Sequence, residues 1–183
     1  MTAIGLILSS AVVGAIFSSI VTLYVTERNY RNEYYKKIVE KRFQAHELLN
    51  GVISRLKIAV PDKDGKSYHS IFAGTSEEYE AFMIELATNG PDFWVMDKTR
   101  GALLELNKEL FRCHLLLNEM NGNLKEVGKK EYVEIGKLRD KLEDYMLSEL
   151  PSLHKVRQFL KGKTVTKVYG VFDLKKRPSE YES

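Results

Sequence analysis

The sequence predicts an all-α protein, in which a single N-terminal transmembrane helix is followed by a cytoplasmic antiparallel bundle of three or four helices. Three observations predict this class. All 28 Lys and Arg and all 25 Asp and Glu lie at or beyond Glu27, so the first 26 residues carry no side-chain charge. Beyond that point apolar residues recur at spacings of three, four and seven, which is typical of amphipathic helices. Turn-forming residues separate these stretches, as expected for helices joined by short loops.

These patterns divide the chain into four segments. The charge boundary separates the first two, a proline marks the start of the third, and a glycine precedes the fourth. We expect a transmembrane anchor at 1–26, a juxtamembrane amphipathic helix or stalk at 27–60, a helical bundle at 61–162 that packs with residues 38–60, and a basic, partly disordered C-terminal segment at 163–183.

The anchor prediction depends on the uncharged run of residues 3–25, which as a helix would extend about 35 Å, against a hydrocarbon core of about 30 Å. No basic residue precedes the run, which argues against a cleaved secretory signal. Basic residues favour the cytoplasmic side of a membrane, so we expect a single-pass protein of the inner cell membrane with its N-terminus outside. The basic residues that follow the run are also candidate contacts for anionic lipid: Arg28, Arg31, Lys36, Lys37, Lys41 and Arg42.

Small residues recur at four-residue spacing within the same run. They form two neighbouring rows of one helix face, and in lipid such faces favour close helix pairing. We therefore expect the chain to form a homo-oligomer through this face. Its members are Ser10, Gly14, Ser18, Ala11, Ala15 and Ser19.

The helices after residue 26 are predicted from apolar periodicity and from their end signals. Thr75 followed by Glu78 is a capping-box pattern, which starts a helix that we expect to end near Thr88. The remaining helices are expected at 26–60, from about Phe93 or Asp97 to Met120, from near Lys129 to Pro151, and at 153–160. The stretches near 67–72 and 164–172 are predicted to pair as a short two-stranded β element, because the second is β-branched and aromatic.

No motif predicts a catalytic, cofactor-binding or metal-binding site. Gly65-Lys66-Ser67 ends like a phosphate-binding loop, but Val60 occupies the position where that loop needs its first glycine. Asp62-Lys63-Asp64-Gly65 begins like a calcium loop, yet its glycine comes two residues too early, so we interpret it as a surface turn. His46-Glu47 has Asn50 where a zinc helix needs its second histidine. We therefore expect no cofactor and no enzymatic activity.

The C-terminal segment is the remaining candidate for binding an anion. Its lysines and arginine alternate with Tyr169 and Phe172, a composition that suits phosphate contacts and stacking. The alternatives are a solvated tail or contact with an anionic membrane surface. The candidate residues are Lys161, Lys163, Lys167, Lys175, Lys176 and Arg177.

Two hypotheses about function follow from these features. The first is a membrane-anchored, self-associating interaction or scaffold protein that presents its helical domain to an unknown cytoplasmic protein partner. The second is a ligand-gated membrane effector, in which the domain senses a signal, such as an anionic nucleotide or a nucleic acid, and oligomerised anchors then permeabilise the lipid bilayer.

A single cysteine, Cys113, excludes a disulfide framework within one chain.

Overall fold

The computed structural model describes residues 3–88 and 91–162. The chain forms two compact units, Met1–Glu40 and Lys41–Ser183. Among the described residues there are six α-helices and two short strands. The helices are α1 Ala3–Lys57, α2 Ser76–Thr88, α3 Asp97–Glu119, α4 Leu124–Lys130, α5 Tyr132–Glu149 and α6 Val156–Gly162, and the strands are β1 Ala59–Pro61 and β2 Ser67–His69.

The structure corrects the prediction for the N-terminal segment. Residues 3–57 do form one continuous helix, but no helix within the described residues is both long and apolar enough to cross a membrane. The transmembrane anchor at 1–26, the single-pass topology and the inner-membrane localisation are therefore not supported.

In the second unit α3 lies at the centre and packs against α2, α4 and α5. Its apolar face, spaced by three and four, includes Leu106, Leu110 and Cys113, and all three side chains are fully buried. The predicted helical character of this part of the chain is thus confirmed. Burial also raises the pKa of the Cys113 thiol to about 12, so this cysteine behaves as a small core residue.

Cross-helix pairs show that α3 and α5 run antiparallel. Thr99, near the start of α3, contacts Glu149 at the end of α5, with 2.8 Å between Oγ1 and Oε2. Glu105 and Lys141 pair in the middle at 2.6 Å. The C-terminal part of α1 is antiparallel to α5 as well, since Arg42 contacts Glu149 and Lys57 contacts Glu143.

Two helix-end predictions are confirmed at atomic detail. The Thr75 amide donates to Glu78 Oε2 at 2.9 Å and the Glu78 amide donates to Thr75 Oγ1 at 3.3 Å, which is the reciprocal pair of a capping box at the start of α2. At the end of α3, Asn121 and Gly122 both have positive φ, and the Gly122 amide donates to the Leu117 carbonyl at 2.9 Å. This 6→1 bond ends the helix as a Schellman motif does.

The predicted helix from Lys129 to Pro151 is instead two helices. A short α4 begins earlier, with Asn123 capping it through the Glu126 amide at 3.3 Å, and Glu131 separates it from α5. An ideal Cβ at Gly128 of α4 would lie 2.7 Å from Cβ and Cγ of Phe72. Glycine therefore allows α4 to pack closely on the turn that follows β2.

The β element also differs from the expectation. β2 pairs antiparallel with β1, in the register Ala59 with His69 and Pro61 with Ser67. The two strands are joined by the turn that contains Gly65, whose φ of 78° suits glycine. The other predicted strand, 164–172, lies outside the described residues.

Candidate functional site

A buried polar cluster joins four parts of the second unit around the carboxylate of Glu149. Oε1 accepts hydrogen bonds from the Arg42 guanidinium at 2.8 Å and from the Met96 amide at 2.7 Å. Oε2 accepts from the Thr99 hydroxyl at 2.8 Å. His46 Nε2 lies 3.9 Å from the same oxygen. The carboxylate is thus surrounded by donors from α1, from α3 and from the segment before α3.

Arg42 is the cationic member of this cluster, and its side chain is completely buried. Besides Glu149 it donates to the carbonyls of Ser152 at 3.0 Å and Leu153 at 2.8 Å, while the Phe159 ring lies 4.3 Å from its Cζ. A buried ion pair is tolerated when such additional hydrogen bonds satisfy its remaining donors. The expectation that Arg42 contacts lipid is therefore corrected, because this side chain lies in the core.

His46 is also a buried member of this cluster. Its Nδ1 lies 2.8 Å from the Arg42 carbonyl one turn earlier, and a carbonyl only accepts, so Nδ1 carries the proton in this bond. The side chain is buried, and its other nitrogen faces Glu149. These groups are engaged with one another inside the core, which is the arrangement of a cluster that fastens helices together.

A second charged cluster lies at the turn between β1 and β2. Asp62, Asp64 and Glu126 bring one carboxylate oxygen each within 4.8 Å of one another, a spacing that could hold a cation. Lys129 Nζ occupies this position, at 2.6, 3.0 and 2.7 Å from the three carboxylates. Hydrogen bonds to Asp62 and Glu126 raise the pKa of Lys129, and the hydrogen bonds that its ammonium group donates lower the pKa of Asp62 and of Asp64. The interpretation as a surface turn is consistent with this geometry.

An open groove of about 470 Å³ lies between the C-terminal part of α1 and α2. Its floor is apolar, and its edges carry Glu47, Glu85 and Arg55. Grooves of this kind, with an apolar floor and few charges, are typical of sites that take a helical or extended peptide segment. The lining residues are Gln44, Glu47, Leu48, Leu49, Gly51, Val52, Arg55, Phe82, Glu85, Leu86 and Pro91.

Arg55 divides this groove from a smaller one of about 180 Å³ that continues toward Gly74. Its guanidinium lies 5.7 Å from the centre of the Phe82 ring and 3.6 Å from Glu85. Both charged side chains are about half exposed, so this pair is weakly held and its side chains are free to move when the groove is filled.

Gly51 keeps the larger groove open. It lies within α1, where glycine costs about 1 kcal/mol relative to alanine, and a Cβ built there meets no atom within 4 Å. A larger residue would therefore project into the groove without colliding with the fold.

The second candidate surface is the exposed apolar part of α1 in the first unit. Nine large apolar side chains between residues 12 and 25 are 47% to 71% exposed. An exposed apolar surface of this extent on a protein marks an interaction site. Its members are Val12, Val13, Ile16, Phe17, Ile20, Val21, Leu23, Tyr24 and Val25.

The small-residue face expected from the sequence lies on the same helix, where Val21 and Val25 of the apolar surface follow Gly14 and Ser18 at a spacing of seven. Gly14, Ala15, Ser18 and Ser19 are exposed, whereas the side chains of Ser10 and Ala11 lie outside the described part of the structure. The Ser19 hydroxyl donates to the Ala15 carbonyl at 2.8 Å, and Thr22 donates to Ser18 in the same way. These hydroxyls are satisfied within their own helix.

The remaining basic candidates are not brought together into one site by the described residues. Arg28, Arg31, Lys36, Lys37 and Lys41 are exposed along α1, and Lys161 is exposed at the end of α6. The other members of the basic C-terminal set, Lys163, Lys167, Lys175, Lys176 and Arg177, lie outside the described residues.

Sequence reasoning missed both the buried cluster and the groove, although each has a sequence signal. Arg42 falls on the apolar stripe of Ile38, Ala45 and Leu49, and a charge on such a stripe indicates a buried ion pair. Glu149 continues the apolar stripe of α5 in the same way. The signal for the groove is Gly51, a glycine inside an otherwise regular amphipathic helix.

Comparison with known proteins provides no relative. Neither a scan against protein-family models nor searches of curated proteins and of solved structures found a match to this chain.

Proposed function

We propose that this protein is a self-associating interaction protein, in which residues 12–25 of α1 pack against the same residues of a second copy. The observation that carries the proposal is the exposure of nine large apolar side chains on this stretch. Burying apolar surface is the dominant driving force for association in water. A second copy of the same helix offers a surface of matching length and chemistry.

The spacing of these side chains favours helix pairing. Val13, Ile16, Ile20 and Leu23 follow one another at intervals of three, four and three, which is the a/d pattern of a coiled coil. The same spacing then reaches Glu27, Tyr30 and Tyr34, and both tyrosines are exposed. A charged residue therefore interrupts the apolar seam at Glu27.

The energy that this seam contributes is of the same order as the cost of association. Fully burying an aliphatic side chain contributes about 1.5–3 kcal/mol, so half-burial of eight such chains in a pair contributes about 6–12 kcal/mol. Association costs about 4–15 kcal/mol in lost freedom. The contribution of the seam is thus comparable with this cost, and burial of further side chains in the pair would add to it.

Association of the helices would bring together copies of the domain formed by residues 41–162. A partner with two binding sites would then gain affinity from a raised effective concentration, which is the usual advantage of a scaffold. The membrane-effector hypothesis is not carried further, since it needs a helix that crosses the bilayer.

The test is light scattering of the full chain after size exclusion, with two matched double variants. Ile16→Ser with Ile20→Ser removes two seam side chains, and Val21→Ser with Val25→Ser removes two exposed side chains outside the seam. We expect the dissociation constant of the seam variant to be about a hundredfold higher than that of the unmodified chain. The dissociation constant of the control variant should change little. Equal effects of both variants, or a monomeric unmodified chain, would overturn the proposal.

A further inference from the structure

We infer that two copies of α1 pair antiparallel, in a register centred on Ser18. The inference rests on the proposed self-association and goes beyond it by assigning the orientation and the register of the second helix. It is carried by the positions of the charged residues relative to the apolar seam. The seam residues, from Val13 to Leu23, all precede Glu27, and charged side chains occur only from Glu27 onward.

A parallel pair in register would place each seam residue opposite its own copy. The same spacing of three and four then continues through Glu27, Tyr30, Tyr34, Lys37 and Lys41. Three of these five layers would bring two like charges together, and like-charge contacts at an interface are unfavourable. Because α1 continues as one helix beyond these positions, a parallel coiled coil would keep the charged layers next to one another.

An antiparallel pair centred on Ser18 matches the apolar residues without these contacts. Val13 of one copy lies opposite Leu23 of the other, and Ile16 lies opposite Ile20. Two-fold symmetry repeats both contacts, so all four seam residues of each copy face an apolar residue. Their side chains are 53% to 71% exposed in the single chain, so the pair would remove a large part of their apolar surface from water.

The charged part of α1 faces uncharged residues in this register. Glu27 lies opposite position 9 of the other copy, and no residue before Glu27 carries a charged side chain. No two like-charged side chains therefore face one another along the overlapping helices. The interruption of the seam at Glu27 thus costs an antiparallel pair less than it costs a parallel one.

The orientation also determines the distance between the two copies of the domain. Residue 40 lies 22 positions after Ser18, so the two copies of residue 40 would be about 66 Å apart at about 1.5 Å per residue. A parallel pair would bring the same two residues within about 10 Å of each other. A protein that binds both copies of residues 41–162 therefore has to reach both ends of the helix pair.

The experiment is disulfide crosslinking of the full chain, with Val13→Cys in one variant and Leu23→Cys in another. In the antiparallel register these two positions face each other, whereas each lies about 15 Å along the pair from its own copy. We expect a mixture of the two variants to form the linked dimer about tenfold or more faster than either variant alone. The matched control is Val13→Cys mixed with Val25→Cys, which should link slowly because Val25 lies outside the seam. The unmodified chain controls for Cys113, which is fully buried.

Two results would overturn the inference and leave the proposed self-association intact. The first is faster linking of Val13→Cys or Leu23→Cys with itself than in the mixture, which indicates a parallel pair. The second is a chain that associates but whose mixture links no faster than the control mixture. A chain that is monomeric in light scattering would overturn both proposals.

A second variant tests the orientation without a disulfide. Glu27→Gln removes the charge from the seam and keeps the size of the side chain. We expect its dissociation constant to differ from that of the unmodified chain by less than about threefold, because Glu27 faces no like charge in the antiparallel register. A fall of about tenfold or more would show that two Glu27 carboxylates face one another, and it would contradict the inference.

Discussion

Arg42 and Glu149 form the contact whose loss should affect stability most. Replacing Arg42 with Met leaves the Glu149 carboxylate buried without its cation, and breaking a buried pair in this way costs about 3–5 kcal/mol. Chemical denaturation of the full chain measures the change. Lys137→Met is the matched control, because its pair with Glu134 is exposed and contributes under about 1 kcal/mol. Equal, small losses in both variants would show that the cluster does not fasten the helices.

His69 should make stability depend on pH. Burial lowers its pKa in the folded chain below the ordinary value of 6.5, while Nε2 donates to the Tyr132 carbonyl at 3.0 Å. The unfolded chain therefore binds this proton more readily, so the free energy of unfolding should fall as the pH drops below about 6.5. In His69→Phe, which preserves a ring against Tyr132, the curve between about pH 6.5 and pH 5 should be flatter. Parallel curves for variant and unmodified chain would contradict this assignment.

The structural role of a residue was predictable from the sequence where one local pattern determines it. Thr75 and Glu78 are the example, because both partners of the capping box lie within one turn. The burial of Arg42 was missed, since a basic residue soon after an uncharged run also fits a surface role and its position on the apolar stripe does not identify its partner. Arg42 is buried because it pairs with Glu149, 107 positions away, and local residue spacing does not predict a contact between such distant positions.

At the scale of elements, Gly128 determines how closely α4 approaches the turn at Phe72. Gly128→Ala adds a methyl group where the Phe72 side chain already lies, 2.7 Å away, and such overpacking costs about 1–3 kcal/mol. Gly136→Ala is the control, because a Cβ there meets no atom within 4 Å and alanine favours the helix by up to about 1 kcal/mol. The midpoint temperature of thermal unfolding should therefore fall for Gly128→Ala and stay level or rise for Gly136→Ala. A stabilised Gly128→Ala would show that α4 does not pack closely on Phe72.

Long periodic helices and their ends were predictable, whereas short elements that depend on tertiary contact were not. The apolar spacing of α3 and its predicted end near Met120 agree with the structure, in which the helix ends at Glu119. The seven-residue α4 has too few turns for periodicity, and its break from α5 at Glu131 reflects a side chain that pairs with Arg112 on α3. For the same reason the partner of β2 was missed, since Ala59–Pro61 is only three residues long.

At the scale of the whole molecule, the charge boundary at Glu27 correctly marks a change of surface, but its meaning differs from the first interpretation. The boundary predicted a membrane anchor with a small-residue association face. The proposal of self-association instead uses the exposed large apolar side chains of residues 12–25, whose burial against a second copy would be driven by the hydrophobic effect. Gly14→Ile separates the two faces, as a Cβ at Gly14 meets no atom within 4 Å. We expect that variant to leave the large-residue seam and its association intact.

The most direct test of self-association is sedimentation equilibrium of the full chain over a wide concentration range. The chain mass is 21.0 kDa, so the account predicts a reversible rise from this value to a defined multiple of it. It also predicts that Ile16→Ser with Ile20→Ser remains near 21.0 kDa over the same range. A mass of 21.0 kDa for the unmodified chain at every concentration would contradict the account, and so would a mass that grows without limit in both proteins.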